Sequence, residues 1–277
     1  MDYHSNIDRL RIIEVADHRY EAAEVKSLFF RDNQCRSAKP GQYIMVWIPG
    51  IDEVPMSLSR IDEQGISSIT FKRVGEGTTA LFNTVSGEPL GIRGPYGNWF
   101  QPVKGKCLVV GGGTGLASLF PLLKQLVDLG CGVTCVYGAK TAQQLLFRDD
   151  LTKLLSSSIH QLILTTEDGS QGKQGVATSV FQDNILSGSF DMVYTCGPEP
   201  MMRTIFNYTE PRGLPIQACI ERMVKCSIGV CGSCAIGEYR VCKEGLILST
   251  EKIRTVLDEF GIYERASDGH KKFYSTA

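Results

Sequence analysis

The sequence predicts a multi-domain β + α/β protein: an antiparallel β-barrel, then a parallel-sheet α/β domain, then a small cysteine-rich C-terminal unit. Three observations predict it. Short β-branched runs separated by Pro-Gly and Gly punctuation fill the first third of the chain. After Gly94-Pro95-Tyr96-Gly97 the texture changes to apolar runs alternating with helical patterns, the rhythm of βαβ units. Five of the ten cysteines then crowd between Cys219 and Cys242. The corresponding boundaries are residues 1–101, 102–216 and 217–277.

The bulk composition supports this division. A chain of 277 residues exceeds one typical domain, and 43% apolar residues suffice for more than one core. A formal net charge of -1 provides no global basic field for nucleic acid or anionic lipid. Apolar runs such as 107–110 fall far short of the roughly 20 residues a membrane span needs. The first residues carry charges where a signal peptide would be apolar, so the expectation is a cytoplasmic protein whose partners are small molecules and proteins.

The barrel rests on runs at 23–30, 43–48, 66–72 and 88–92, punctuated by Pro40-Gly41, Pro49-Gly50 and Gly65. In the second domain, 106–110 reads as a buried strand, 111–115 as a turn, 116–129 as an apolar helix and 133–137 as the next strand. Segments 149–155, 161–165, 176–184 and 192–196 continue the alternation. A last amphipathic helix is predicted over 250–260, with Ile253, Val256, Leu257 and Phe260 on one face and Gly261 ending it.

Cys226, Cys231, Cys234 and Cys242 stand as C-x4-C-x2-C-x7-C, and the first three have the spacing of a plant-type [2Fe-2S] loop. Gly229, Gly232 and Ser233 leave room for backbone amides to turn toward sulfur. A structural zinc site is the alternative chemistry for four thiolates, though zinc usually takes two C-x2-C knuckles and this stretch has one. Cys219 is read as a buried or peripheral thiol, and Cys35, Cys107, Cys131 and Cys135 as small apolar residues.

Gly111-Gly112-Gly113-Thr114-Gly115 follows a strand and opens a helix, which offers bare amides to a pyrophosphate. It departs from G-x-G-x-x-G because Leu116 occupies the place of the last glycine. Cys196-Gly197-Pro198 ends a later strand, at the carboxyl edge where open α/β sheets bind ligands. No acidic residue closes the strand 133–137, and Lys140 stands nearby, so NAD and NADP remain open. In the barrel, Pro55 to Ser59 and Gly75 to Thr79 are small-residue stretches, the second preceded by Lys72 and Arg73.

Taken in order, Pro40-Gly41-Gln42-Tyr43, Pro55-Met56-Ser57-Leu58, Gly77-Thr78, Gly94-Pro95-Tyr96-Gly97, the glycine turn, Tyr137-Gly138-Ala139, Cys196-Gly197-Pro198 and the cysteine cluster resemble the ferredoxin-NADP reductase superfamily. Within it, the chain is similar over nearly its whole length to the electron-transfer subunits of dihydroorotate dehydrogenase B. That resemblance implies an FAD-binding barrel, an NAD(P)-binding domain and a [2Fe-2S] segment. Pro55, Met56 and Ser57 would flank the flavin ring. Phe71, Lys72 and Arg73 would line the ribityl-phosphate region, and Gly77, Thr78 and Thr79 would hold pyrophosphate. Gly111, Gly112, Gly113, Thr114, Gly115, Gly197 and Pro198 would receive NAD(H), with Cys196 as the catalytic-site thiol near the nicotinamide. Val54 stands where the family's flavin motif carries an arginine, and Arg73 is the residue placed to supply that charge.

The activity implied is a relay between NAD(H), FAD and the cluster, serving an FMN-containing dihydroorotate dehydrogenase catalytic subunit in a hetero-oligomer. The alternatives are the reductase subunit of a sulfide dehydrogenase, a ferredoxin:NADP oxidoreductase or a soluble hydrogenase, or a zinc-stabilised non-catalytic interaction subunit.

Overall fold

The structure, a computed structural model, describes residues 7–62, 64–266 and 268–274, without the side chains of 184–187. Six strands close the N-terminal barrel: β1 (Arg11–Ala22), β2 (Val25–Arg31), β3 (Tyr43–Ile48), β4 (Asp52–Ile61), β5 (Ile66–Lys72) and β6 (Pro89–Tyr96), in the order β1-β2-β5-β4-β3-β6. All neighbours are antiparallel, and β6 returns to β1 to close the ring. Alternate residues such as Val15, Leu28, Ile44, Val46 and Ile69 point inward to form its core. Helix α1 (Glu76–Asn83) plugs into that core through Leu81.

Two barrel strands, β1 and β4, carry no clear period-two signal. β1 buries only Ile13 and Val15 among charged neighbours, and β4 contains Pro55. Over Asp52 to Ser57, β4 pairs with β3 while β5 joins only from Leu58, so one edge is free. A free edge is where a strand tolerates proline.

The second sheet is built from β7 (Lys106–Gly112), β8 (Gly132–Ala139), β9 (Gln161–Thr166), β10 (Lys173–Gln174), β11 (Met192–Cys196) and β12 (Ile216–Cys219). A hairpin of β13 (Ala235–Ile236) and β14 (Tyr239–Arg240) follows, and β15 (Ile247–Ser249) then returns to the sheet. The sheet order is β10-β9-β8-β7-β11-β12-β15, parallel except for β15. Its helices are α2 (Leu116–Asp128), α3 (Arg148–Leu154), α4 (Ala177–Ser187) and α5 (Glu199–Thr209). α2 buries Leu116, Leu119, Leu122, Leu123 and Leu126, the stripe expected of a crossover helix.

The C-terminal segment adds α6 (Val241–Glu244), α7 (Thr250–Arg254) and a hairpin of β16 (Tyr263–Arg265) and β17 (Lys271–Phe273). Ile216, the last residue before the expected third unit, opens β12. Val224, Cys234, Val241, Leu248 and Val256 belong to the same core as the α/β domain. The helix expected over 250–260 is shorter than the periodicity suggests. Ile253, Val256 and Phe260 do share a buried face. Past Arg254, however, the chain winds in hydrogen-bonded turns, with the Leu257 and Phe260 carbonyls both accepting from Arg203 Nη1 at 2.6 Å. The ladder has already tightened at Thr255 and Val256, whose amides donate three residues back to the Lys252 and Ile253 carbonyls at 3.2 and 3.1 Å. Among the described residues no helix is long and apolar enough to cross a membrane.

Candidate functional site

The parallel strands β7, β8, β9, β11 and β12 end at one edge, and a cleft of about 700 Å³ opens there between the two domains. Its sheet-side wall is the turn Gly112 to Gly115 together with Gly197 and Pro198; its barrel-side wall includes Glu24, Val25 and Lys72. This is the position at which open α/β sheets receive ligands.

Two strand ends meet very closely in the cleft floor. A Cβ on Gly115 would lie 2.6 Å from both the carbonyl carbon and oxygen of Cys196, and one on Gly197 would lie 3.0 Å from the Gly112 backbone. Only glycine permits such backbone contact. The Tyr137 hydroxyl donates to the Gly113 carbonyl at 3.2 Å and accepts from Leu146 N at 3.0 Å, which fixes the turn from below. The turn then leads into α2, whose first amides carry the positive end of the helix dipole.

Of the expected nucleotide residues, Lys72, Gly112, Gly113, Thr114, Gly115, Gly197 and Pro198 come together on this cleft. Gly111 lies buried behind the turn, against Leu116 and Tyr137. Cys196, expected near the nicotinamide, ends β11 directly before the cleft-lining Gly197. It is fully buried, and its side chain faces Cys219 and Ser118; the Cys219 thiol and burial hold its pKa well above the ordinary thiol value, against a lowering contact from Ser118. Cys219 is buried beside it, as read from the sequence.

The flavin-side residues are more dispersed. Pro55, Met56 and Ser57 lie half-buried on the free edge of β4, the strand that packs against α2. Phe71 turns into the barrel core, because β5 alternates and its neighbour Lys72 takes the outward position on the cleft. Arg73 is exposed, and its guanidinium is held by Glu24 through Nε and Nη2 at 2.6 and 2.8 Å. Gly77 abuts Val54: a Cβ there would meet Val54 Cγ1 at 2.9 Å. The Thr78 hydroxyl accepts from the amides of Val74 and Gly75, each at 2.9 Å, so it caps α1. Thr79 borders a separate shallow depression with Ile51 and Asn83.

The cysteine loop lies beyond the cleft floor. Cys234 and Cys242 are buried, Cys226 is half-buried and Cys231 is exposed. The Cys226 thiol interacts with that of Cys231, and the Cys242 thiol with that of Cys234. Among the described residues no three His, Cys, Asp or Glu side chains gather as one metal ion would need; the nearest thiol contacts are Cys226 with Cys231 and Cys234 with Cys242, and Cys226 also acts on Cys242. Backbone amides point at sulfur: Val230 N to Cys226 Sγ and Cys242 N to Cys234 Sγ, both at 3.4 Å. Partial burial raises the Cys226 pKa, but the amides of Cys231, Val230 and Ile228 bring it down to about 6. Burial, with Cys234 alongside, lifts Cys242 to about 12. Ser227, Gly229 and Gly232 all adopt positive φ, at 61°, 79° and 73°, the folded-back geometry that aims those amides inward. The barrel touches the loop through Tyr43, whose hydroxyl lies 3.3 Å from Ser227 Oγ.

Cleft and loop are joined by residues that carry no motif. Glu221 lines the cleft and keeps contact with solvent, and partial desolvation and then Glu264 push its carboxyl pKa upward. Arg222 turns the other way and is enclosed by protein, with Nη2 2.8 Å from Glu199 Oε2 and Nη1 3.0 Å from the Tyr263 carbonyl. Glu199 directly follows Pro198 in the floor and also accepts from Gly261 N at 3.0 Å. Glu167 and Lys140 also line the cleft, just past the adjacent ends of β9 and β8, where Glu167 N donates to the Ala139 carbonyl at 3.1 Å. The only sequence signal for these residues is position, since each stands just past the carboxyl end of a parallel strand.

An oxidoreductase NAD-binding domain model matches residues 109–206. A protein of Methanocaldococcus jannaschii named "Probable dihydroorotate dehydrogenase B (NAD(+)), electron transfer subunit" is 36% identical, covering 85% of this chain and 88% of the relative. Relatives of the same name from Thermoplasma volcanium and Pyrococcus furiosus are 35% and 37% identical, covering 94% and 95% of this chain and 96% and 99% of their own lengths. Among solved structures, the NADH-dependent reduced ferredoxin-NADP oxidoreductase aligns with a TM-score of 0.78 at 24% identity, covering 90% of this chain and 94% of that chain. A ferredoxin reductase of carbazole 1,9a-dioxygenase aligns with a TM-score of 0.65 at 22% identity, over 76% of this chain and 68% of that one. These structural likenesses bear on the fold.

Proposed function

Because the chain belongs to the family of dihydroorotate dehydrogenase B electron transfer subunits, we propose that it relays electrons between NAD(H), FAD and a [2Fe-2S] cluster, to or from the FMN of a dihydroorotate dehydrogenase catalytic subunit in the cytoplasm. In this reading residues 1–101 hold FAD, 102–216 hold NAD(H), and 217–277 hold the cluster on Cys226, Cys231, Cys234 and Cys242. When bound, nicotinamide and flavin supply hydride transfer and the iron centre supplies one-electron transfer.

The observation that carries the proposal is continuity. The cleft floor at Gly197 and Pro198 leads through Glu199 and Arg222 to Glu221, and four residues beyond Arg222 the thiol loop begins at Cys226. The two nearest thiol contacts, with amides aimed at sulfur, fit a two-iron group better than one tetrahedral zinc ion, which would draw the four together.

The chain's own contribution is binding and orientation. Amides of Gly112 to Gly115 suit a pyrophosphate at the start of α2, with Lys72 opposite to balance its charge. Pro55, Met56 and Ser57 on the free edge of β4 offer half-buried surface for the flavin ring. Amides at Val230 and Cys242 stabilise thiolate sulfur and tune its potential. Met223, Ile228 and Val230 are exposed apolar residues around the loop, suited to the face of the catalytic subunit.

The test is an anaerobic absorption spectrum with flavin, iron, sulfide and zinc analysis, followed by addition of NADH and by co-purification with the catalytic subunit. Flavin and iron-sulfur bands that bleach with NADH support the relay. A colourless protein with stoichiometric zinc overturns it.

A further inference from the structure

We propose that Glu24, which lines the cleft, is a counter-ion latch for Arg73: it holds the guanidinium beside the cleft and releases it to the pyrophosphate of an incoming dinucleotide. The inference rests on reading the cleft as a dinucleotide site. It concerns which side chain supplies positive charge on the barrel side and what restrains that charge before a ligand arrives.

Position 54 cannot supply it. Val54 is apolar, and its Cγ1 already lies 2.9 Å from where a Cβ on Gly77 would stand. The Asp52 carboxylate is close by, with Oδ2 3.5 Å from the same point, so the surroundings of the first turn of α1 carry negative charge. The cations nearest in sequence are Lys72, which lines the cleft, and Arg73.

Arg73 is arranged to change partners. Its backbone N donates to the Glu24 carbonyl at 2.8 Å, extending the β2–β5 ladder by one pair, so the two residues are fixed side by side and only side chains need move. Glu24 sits on the turn between β1 and β2 and lines the cleft. The guanidinium lies over the Phe82 ring, 4.8 Å from its centroid, on the α1 side. Both carboxylate oxygens of Glu24 are taken, a two-point contact that a phosphate reproduces. The pair is exposed, with side chains 40% and 45% accessible, so water screens it and a doubly charged pyrophosphate can outcompete a single carboxylate.

The experiment titrates ADP, a minimal nucleoside pyrophosphate, into the flavin-stripped chain by calorimetry, for the native protein, Glu24→Gln, Arg73→Ala and the double variant. Glu24→Gln is expected to tighten binding about three- to fivefold, the scale of releasing one exposed ion pair. Arg73→Ala is expected to weaken binding by a similar factor, and the gain from Glu24→Gln should vanish in the Arg73→Ala background. No gain in Glu24→Gln overturns the latch. So does a gain that persists without Arg73, since it would reflect general charge alone. Parallel titrations with FAD on the stripped protein and NADH on the FAD-loaded protein identify which pyrophosphate takes Arg73. The expected ADP pattern in a chain that takes up no flavin would leave the latch standing and sink the functional reading instead.

Discussion

Arg222 and Glu199 form an ion pair with Nη2 to Oε2 at 2.8 Å and both side chains 2% accessible, placed where the nucleotide cleft, the thiol loop and the C-terminal hairpin meet. Removing one member leaves the other buried without its partner. Arg222→Ala is expected to destabilise the chain by about 3–5 kcal/mol, measured by urea unfolding, whereas a surface control such as Arg254→Ala should change stability by less than about 1 kcal/mol.

The same pair gives a pH dependence. Burial raises the Glu199 carboxyl to about 7 against the lowering influence of Arg222 and the Gly261 amide. A carboxyl whose folded pKa exceeds its unfolded value favours the native state when protonated. Its contribution is therefore full below the unfolded value of 4.5 and is lost as pH rises through about 7. Thermal unfolding should show stability declining from pH 5 to 8, about the window between those values. Glu199→Gln should flatten that decline, and an equal slope in both proteins would count against the assignment.

Gly115→Ala tests the close approach in the cleft floor. The added methyl must displace the Cys196 carbonyl, since it would stand 2.6 Å from it. The expected cost is about 1–3 kcal/mol of stability. NADH-driven reduction should slow by up to about 100-fold, the scale of an ångström-sized misplacement, read by stopped-flow absorbance.

Glu167 addresses coenzyme choice. Its carboxylate lines the cleft at the end of β9, where it can accept from ribose hydroxyls and would repel a 2′-phosphate. Glu167→Ser should raise kcat/KM for NADPH relative to NADH by about tenfold, one 1.4 kcal/mol step. An unchanged ratio of the two rates would remove Glu167 from that role.

Cys231, the exposed member of the four thiols, gives a ligand-removal test. Cys231→Ser should lose the visible iron-sulfur absorption while retaining flavin, because the barrel and cleft lie on other elements. Retention of iron and sulfide at full stoichiometry would show that Cys231 is no ligand.

Much of this was legible in the sequence where chemistry imposes spacing. The thiol loop and the glycine turn are local, so C-x4-C-x2-C and Gly111 to Gly115 could be read before any fold was known. Phe71 and Lys72 show the limit of that approach: adjacent residues in a strand face opposite ways, and only the register says which one meets a ligand. β4 was hidden by Pro55, whose tolerance depends on an edge left free by a distant strand. Glu221, Glu199 and Arg222 were hidden because their importance arises from three segments meeting, which no single stretch records. The helix after Thr250 was over-extended because the buried spacing of Ile253, Val256 and Phe260 is met equally by tighter turns, whose far end Arg203 holds from upstream.

The antiparallel return of β15 onto β12, and the single core running from α2 to Phe260, bear on how such a chain can be modified. The cysteine segment is no interchangeable ferredoxin cartridge. Grafting another cluster in its place would strip an edge strand from the sheet and uncover Leu248, Ile253 and Val256. Even the short excursion between Cys226 and Glu244 is tied in, since Cys234, Ile236, Val241 and Cys242 belong to that same core.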